Sequence, residues 1–443
     1  MHKLKNRALL ALLLVGCLVA ALGFYGWFYV RDGGDWVAFA SNRHIYKSGS
    51  LQTGTITDRE GTVLASTDDG KRAYHDDAAV RTALLHLIGD PGGSIGTGAQ
   101  IKFADRLTGF SHIDGLYHAS HSDASLTLTV DAPACAAAYR ALGDFAGAAI
   151  VYNYQTGEIL CSVSTPAFDP ANVPDNLRTD SRWDGVYVNR VYQAAYAPGS
   201  VMKVITTAAA IEQLPHLFDM HFNCPGSIKV GSTTINCMHT HGEIAVGTAL
   251  AKSCNVAFAE LALTLGGETL KDYCERFGLL ESLSIDGIPS AAGRFDAAAD
   301  GTAALAWSGI GQSTNLVSPI NMALVMGAIG GDGETALPRL LMDSAPETRR
   351  LMKQETAETL TRMMRYNVTS VYGTDRFPEE LREGLCAKSG TAEVDGAEPH
   401  AWFAGFVDDE QYPYAFAVIA EHGGAGSETA AGIVAAVLGA LVD

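Results

Sequence analysis

Ser200 and Lys203 are the residues whose types and spacing most directly allow chemistry. A serine hydroxyl becomes a useful nucleophile when a nearby base takes its proton. Three residues apart on a helix, the two side chains share a face, so the lysine amine reaches the serine oxygen. An amine serves as that base near neutral pH only if burial or a second cation depresses its pKa. Val201, Met202, Val204 and Ile205 supply poorly solvated surroundings. Pro198-Gly199 just ahead suits Ser200 at a helix start, where free backbone N–H groups favour developing negative charge. No other lysine in the chain has a serine three residues before it.

Two further constellations follow. Ser253-Cys254-Asn255 offers a second hydroxyl to relay a proton and an amide to hold a carbonyl. Taken alone, such a tripeptide reads as a helix N-cap, and S-x-N recurs at Ser313-Thr314-Asn315. Lys388-Ser389-Gly390-Thr391 joins a cation and hydroxyls, which suit a carboxylate, to a glycine that admits close backbone approach. The N–H of Thr391 could join that of Ser200 in an oxyanion hole. The copy Lys47-Ser48-Gly49 lies upstream of any predicted core and is taken as noise.

The elements that must position these groups follow from patterning. Residues 146–154 read as a strand, turned at Gln155-Thr156-Gly157, with 158–164 as its hairpin partner. Residues 201–213 and 245–265 read as helices, and 428–442 as a closing apolar helix. Residues 385–394, 401–407 and 412–421 read as three successive antiparallel strands. Helices between early and late strands predict an α+β fold whose sheet joins both ends of the domain.

Composition sets the remaining bounds. The 443 residues, 47% hydrophobic, are enough for more than one domain. With 49 acidic against 31 basic residues, a formal charge of −18 argues against nucleic acid as a partner. Lys3, Lys5 and Arg7 precede an uncharged run over 8–30, long enough to span a bilayer as a helix. The basic flank predicts a cytoplasmic N-terminus and an external remainder. Leu14-Val15-Gly16-Cys17 loosely resembles a lipoprotein box, but the residues after it stay apolar, so an uncleaved anchor is the reading. Of eight cysteines, Cys17 falls in the anchor. Cys224 and Cys237 flank a hairpin-like segment and form the candidate disulfide. A zinc reading with His239 and His241 fits finger spacing poorly, so disulfide or plain loop is preferred.

The order S-x-x-K, S-x-N, K-[ST]-G resembles the active-site-serine penicillin-recognising enzymes. The flanks resemble class B, monofunctional penicillin-binding proteins. They include Gly147-Ala148-Ala149-Ile150-Val151, Ser164-Thr165-Pro166-Ala167-Phe168-Asp169-Pro170, Asn189-Arg190, Gly311-Gln312 and Ala401-Trp402-Phe403-Ala404-Gly405. Upstream, 54–61 resembles the membrane-proximal pattern R-G-x-x-x-D-R-x-G, with Thr53 where the family usually has Arg.

The resemblance implies an antiparallel sheet with helices on both sides plus a helical subdomain. It divides the chain into tail and anchor at 1–30, a reduced pedestal at 31–143 and a transpeptidase domain at 144–443. It implies Ser200 as nucleophile, Lys203 as base and Ser253 as proton relay. Asn255, Lys388, Ser389, Gly390 and Thr391 would bind substrate, with Ser200 and Thr391 N–H groups as oxyanion hole. No metal or organic cofactor is implied. The implied partners are peptidoglycan stem peptides on lipid-linked precursor strands, β-lactams, the membrane and a multi-spanning glycosyltransferase. A D,D-carboxypeptidase and a β-lactam-binding sensor or scaffold without turnover are the alternatives. A class A β-lactamase would need an E-x-x-L-N element, which is absent.

Overall fold

The computed structural model describes residues 2–37, 46–47, 50–51, 53–68, 71–110 and 124–442. Ser48 and Gly49 of the upstream lysine-serine-glycine copy lie outside them.

Alternation is absent from the inner strands of the central sheet because both of its faces are covered. Ala148, Ala149, Ile150, Val151 and Tyr152 are all fully buried, as are Trp402, Phe403 and Ala404. The sheet has five antiparallel strands in the order Leu385–Val394, Ala397–Val407, Tyr414–Ala420, Gly147–Asn153, Ile159–Thr165. The early hairpin thus joins the three late strands, as the sequence predicts. Helices Ala132–Leu142 and Thr429–Val442 pack together on one face. The helix Pro319–Gly330, apolar except for Asn321, covers the other, its residues buried from Pro319 to Ile329.

The helical subdomain surrounds Met202–Gln213, which is buried from Met202 to Ala210. The helical stretch read over 245–265 is two helices, Val246–Ala251 and Asn255–Leu265, and Ser253-Cys254-Asn255 stands at the start of the second, in keeping with its N-cap reading. The break falls on Lys252-Ser253-Cys254, with Ser253 at φ +53°, a left-handed conformation costly for a residue bearing a Cβ.

Before the sheet, Lys71–Tyr74, Val63–Asp68, Thr55–Thr57 and Ser125–Thr127 form a four-stranded sheet in that order. Its last pairing is parallel. Ile56, Leu64, Leu84 and Leu126 belong to the same apolar cluster as the central sheet. Thr53 is buried, and Arg72 Nη1 donates to the carbonyls of Thr53 (3.0 Å) and Gly54 (2.8 Å). Helix Ala132–Leu142, assigned to the pedestal from sequence, packs on strand Ile159–Thr165 of the central sheet. At the N-terminus, Leu4–Gly33 lies within one helix long and apolar enough to cross a membrane, with mean hydropathy 2.5.

Candidate active site

Two glycines bring the turn that carries Ser200 against the sheet edge. Ser200 sits in the short turn Gly199–Val201 that leads into Met202–Gln213. Gly199 has φ +52°, and a Cβ there would lie 2.7 Å from the Thr391 carbonyl oxygen. Gly199 N donates to the Gly311 carbonyl at 2.9 Å, and a Cβ on Gly311 would come within 2.0 Å of the Gly199 oxygen. Neither position has room for another residue. From below, the buried Trp402 donates its indole N–H to the Ala197 carbonyl at 3.0 Å. Because Leu385–Val394 is the edge strand, its free side is open to the turn.

The two lysines and the S-C-N segment converge. Lys203 Nζ donates to the Ser253 carbonyl (2.7 Å), Ser253 Oγ (3.1 Å) and Asn255 Oδ1 (2.7 Å). Lys388 Nζ donates to the same Ser253 Oγ at 3.2 Å and to its neighbour's carbonyl, Ser389, at 2.8 Å. The Ser253 hydroxyl therefore bridges both amines. Its left-handed backbone is a local cost that the surrounding contacts hold in place. Both lysines are fully buried, and neither meets a carboxylate among the described residues. Burial, and next the nearby Lys388 charge, push the Lys203 amine well below its ordinary value. Burial pushes Lys388 down to about 7. The second cation and the dry surroundings foreseen around Lys203 are both present.

The remaining candidates line one cleft. A cavity of about 620 Å³ is bordered by Ser200, Ser253, Asn255, Ser389, Thr391 and Trp307, among others, with Lys203, Lys388 and Gly390 behind its wall. A larger depression lined by Asp332, Glu334, Arg350 and Asp408 contains none of the candidate residues. Sequence reasoning missed Tyr372. Its hydroxyl lies 3.3 Å from Lys388 Nζ, accepts the Ser389 N–H at 3.1 Å and lies 3.1 Å from Ser389 Oγ. It ends a π-helical turn 16 residues before Lys388, where nothing in the local pattern marks it.

The expected Cys224–Cys237 disulfide is corrected by the structure, in which every cysteine is free. Cys224 Sγ points to the His239 carbonyl at 3.7 Å. Cys237 Sγ accepts the Asn255 N–H at 3.3 Å and lies 4.0 Å from Cys254 Sγ and 3.5 Å from His241 Nδ1. Three sulfurs compete for one place. The third belongs to the middle residue of Ser253-Cys254-Asn255, 17 residues beyond Cys237.

Residues 147–439 match the family model of the penicillin-binding protein transpeptidase domain. Among curated proteins, the peptidoglycan D,D-transpeptidase PbpA of Mycolicibacterium smegmatis is 30% identical over 335 residues, covering 67% of this chain and 66% of that protein. Stage V sporulation protein D of Bacillus subtilis is 30% identical over 263 residues, covering 55% and 39%. The chain thus spans about two thirds of the length of PbpA. Its fold resembles the ceftriaxone acyl-enzyme complex of penicillin-binding protein A from Mycobacterium tuberculosis, with TM-score 0.76, 23% identity and coverage of 89% and 99%. Pseudomonas aeruginosa PBP2 gives TM-score 0.72 at 23% identity, with coverage of 88% and 96%. With three ordered motifs meeting at one sheet edge and two thirds of its length inside the family model, this chain belongs to the penicillin-binding protein transpeptidase family.

Proposed function

We propose that the chain is a peptidoglycan D,D-transpeptidase that cross-links stem peptides through an acyl-enzyme on Ser200. The observation that carries this reading is the placement of Lys203 Nζ one turn from Ser200 and within 3.1 Å of Ser253 Oγ. A neutral Lys203 takes the Ser200 proton as Ser200 Oγ attacks the penultimate D-Ala carbonyl. The Ser200 and Thr391 N–H groups hold the developing oxyanion. Ser253 Oγ passes a proton to the departing amine of the terminal D-Ala and is replenished from Lys203. Asn255 aligns the peptide, while Lys388, Ser389 and Thr391 take its terminal carboxylate, with Gly390 leaving room behind the strand for the turn that carries Ser200. An amine from a neighbouring stem then attacks the ester carbonyl and frees Ser200. β-Lactams present a strained amide in place of that peptide bond and acylate Ser200 as the ring opens.

We place the catalytic domain, 144–443, outside the cytoplasmic membrane, carried by a single pass at 1–30 and a pedestal at 31–143. Lys3, Lys5 and Arg7, ahead of the uncharged run over 8–30, support that orientation. A multi-spanning glycosyltransferase would then meet the span and pedestal; detergent co-purification of such a partner supports this, and its absence contradicts it.

The test separates cross-linking from hydrolysis. Purified full chain is given a stem pentapeptide ending in D-Ala-D-Ala together with a D-amino acid acceptor, and products are resolved by mass. Exchange of the terminal residue is the expected product. Tetrapeptide alone would make the protein a D,D-carboxypeptidase. No turnover, with β-lactam binding retained, would make it a sensor or scaffold.

A further inference from the structure

We propose that Cys224, Cys237, His241 and Cys254 bind one zinc ion, and that this ion fixes the segment carrying Ser253 and Asn255. The donor atoms of all four residues lie within 4.8 Å of one another. A tetrahedral zinc with Zn–S bonds of about 2.3 Å has sulfur–sulfur edges of about 3.8 Å and slightly shorter sulfur–nitrogen edges. The observed 4.0 Å between Cys237 and Cys254 sulfurs and 3.5 Å from Cys237 Sγ to His241 Nδ1 match those edges. A disulfide would need the two sulfurs of any pair to close to about 2.05 Å and would leave the other two donors unused.

The identity of the ion follows from the donors. Three sulfurs and an imidazole, with no carboxylate in the set, select a soft or borderline metal over calcium or magnesium. The set fills four coordination positions, which is the pattern of a structural zinc rather than a catalytic one. Backbone N–H groups are already aimed at the sulfurs. Asn255 N donates to Cys237 Sγ at 3.3 Å and Ala257 N to Cys254 Sγ at 3.5 Å. Donors of that kind favour thiolate over thiol. Binding would release the protons of the cysteines that arrive as thiols, with no redox change.

The position gives the ion its consequence. Cys224 ends strand His221–Cys224, Cys237 follows strand Thr233–Asn236, and His241 precedes strand Gly242–Ala245. Cys254 caps helix Asn255–Leu265 and separates Ser253 from Asn255 in sequence. The ion would therefore tie a small β-subdomain to the start of the helix that holds two candidate site residues. Asn255 Nδ2 already donates to the Asn236 carbonyl across the same junction at 2.8 Å. The left-handed backbone at Ser253 stands immediately beside this anchor.

The full chain, extracted in mild detergent without chelator, tests this by metal analysis and by cobalt exchange. One zinc per chain is expected, together with the intense visible bands of tetrahedral cobalt and a thiolate-to-cobalt charge-transfer band. Both should be lost in Cys224→Ser, a residue outside the catalytic groups. Chelator-stripped protein should acylate with penicillin about tenfold more slowly and recover on adding zinc. Should Cys224→Ser not fold, the wild-type cobalt spectrum and zinc-dependent protection of Cys237 and Cys254 from alkylation decide the matter. Absence of metal and of the charge-transfer band would overturn the proposal. So would a denaturing thiol titration without reductant that finds two cysteines joined as a disulfide.

Discussion

Cations are drawn away from water in two regions of this molecule on opposite terms. On the N-terminal side of the central sheet, the partly buried Arg59, Arg81 and Arg339 each have a carboxylate. Arg81 makes a bidentate pair with Asp169 at 2.6 and 2.7 Å, and Glu158 receives Arg339 at 2.8 Å and Arg59 at 3.3 Å. In the cleft, Lys203 and Lys388 are more deeply buried and have only hydroxyl, amide and carbonyl partners. A buried charge without a counter-charge favours its neutral form, whereas a paired one keeps its charge. The difference separates cations that join parts of the structure from amines that give up their charge easily.

The largest effect expected from breaking this contrast is at Lys203. Lys203→Met should slow acylation by penicillin by about a thousandfold, the scale of losing a positioned base. The melting temperature should hold or rise, because an unpaired buried amine is removed. A fall in stability comparable to that of a disrupted core would contradict the contrast.

The next effect is in pH. Lys388 titrates near 7 when folded, against about 10.4 in an unfolded chain. Between those values the unfolded state binds more protons, so stability rises with pH, by up to ~1.4 kcal/mol per pH unit from this group, and flattens below about 7. Lys203, also shifted down, adds a slope of the same sign. Denaturant titrations across that window should show the slope, and Lys388→Met should reduce it. Acylation should likewise rise with pH as Lys203 loses its proton, levelling well below 10.5.

At the pedestal junction, Arg81→Ala should cost about 1.5 kcal/mol in urea unfolding, the worth of charge-assisted hydrogen bonds, with acylation unchanged. The smallest effect is that of Tyr372→Phe. Loss of one hydroxyl shared by Lys388 and Ser389 should slow acylation about fivefold, with the pentapeptide exchange reaction affected alongside it.

The sequence was most legible where one local rule suffices. The hairpin strands within 147–165 and the late strand Tyr414–Ala420 are mostly apolar, and Leu385–Val394 matches its predicted bounds. The three motifs were found because their residue types and order are unusual, and the fold brings all three to one cleft. The misses are tertiary. The left-handed backbone at Ser253, between the two helices of 245–265, was not legible, since periodicity does not register a left-handed residue held by two lysines. Tyr372 reaches Lys388 by packing across the cleft rather than by spacing. The cysteines were paired by proximity in sequence, while the third sulfur arrives from the far side of the S-C-N break.

The most direct test of the central claim follows covalent labelling of the full chain by a fluorescent penicillin over hours, in wild type and in Ser200→Ala. A slowly deacylating acyl-enzyme at Ser200 predicts a stable label on wild type, on the Ser200 peptide by mass spectrometry, and none on Ser200→Ala. Labelling that persists in Ser200→Ala, or that decays within seconds in wild type, would contradict it.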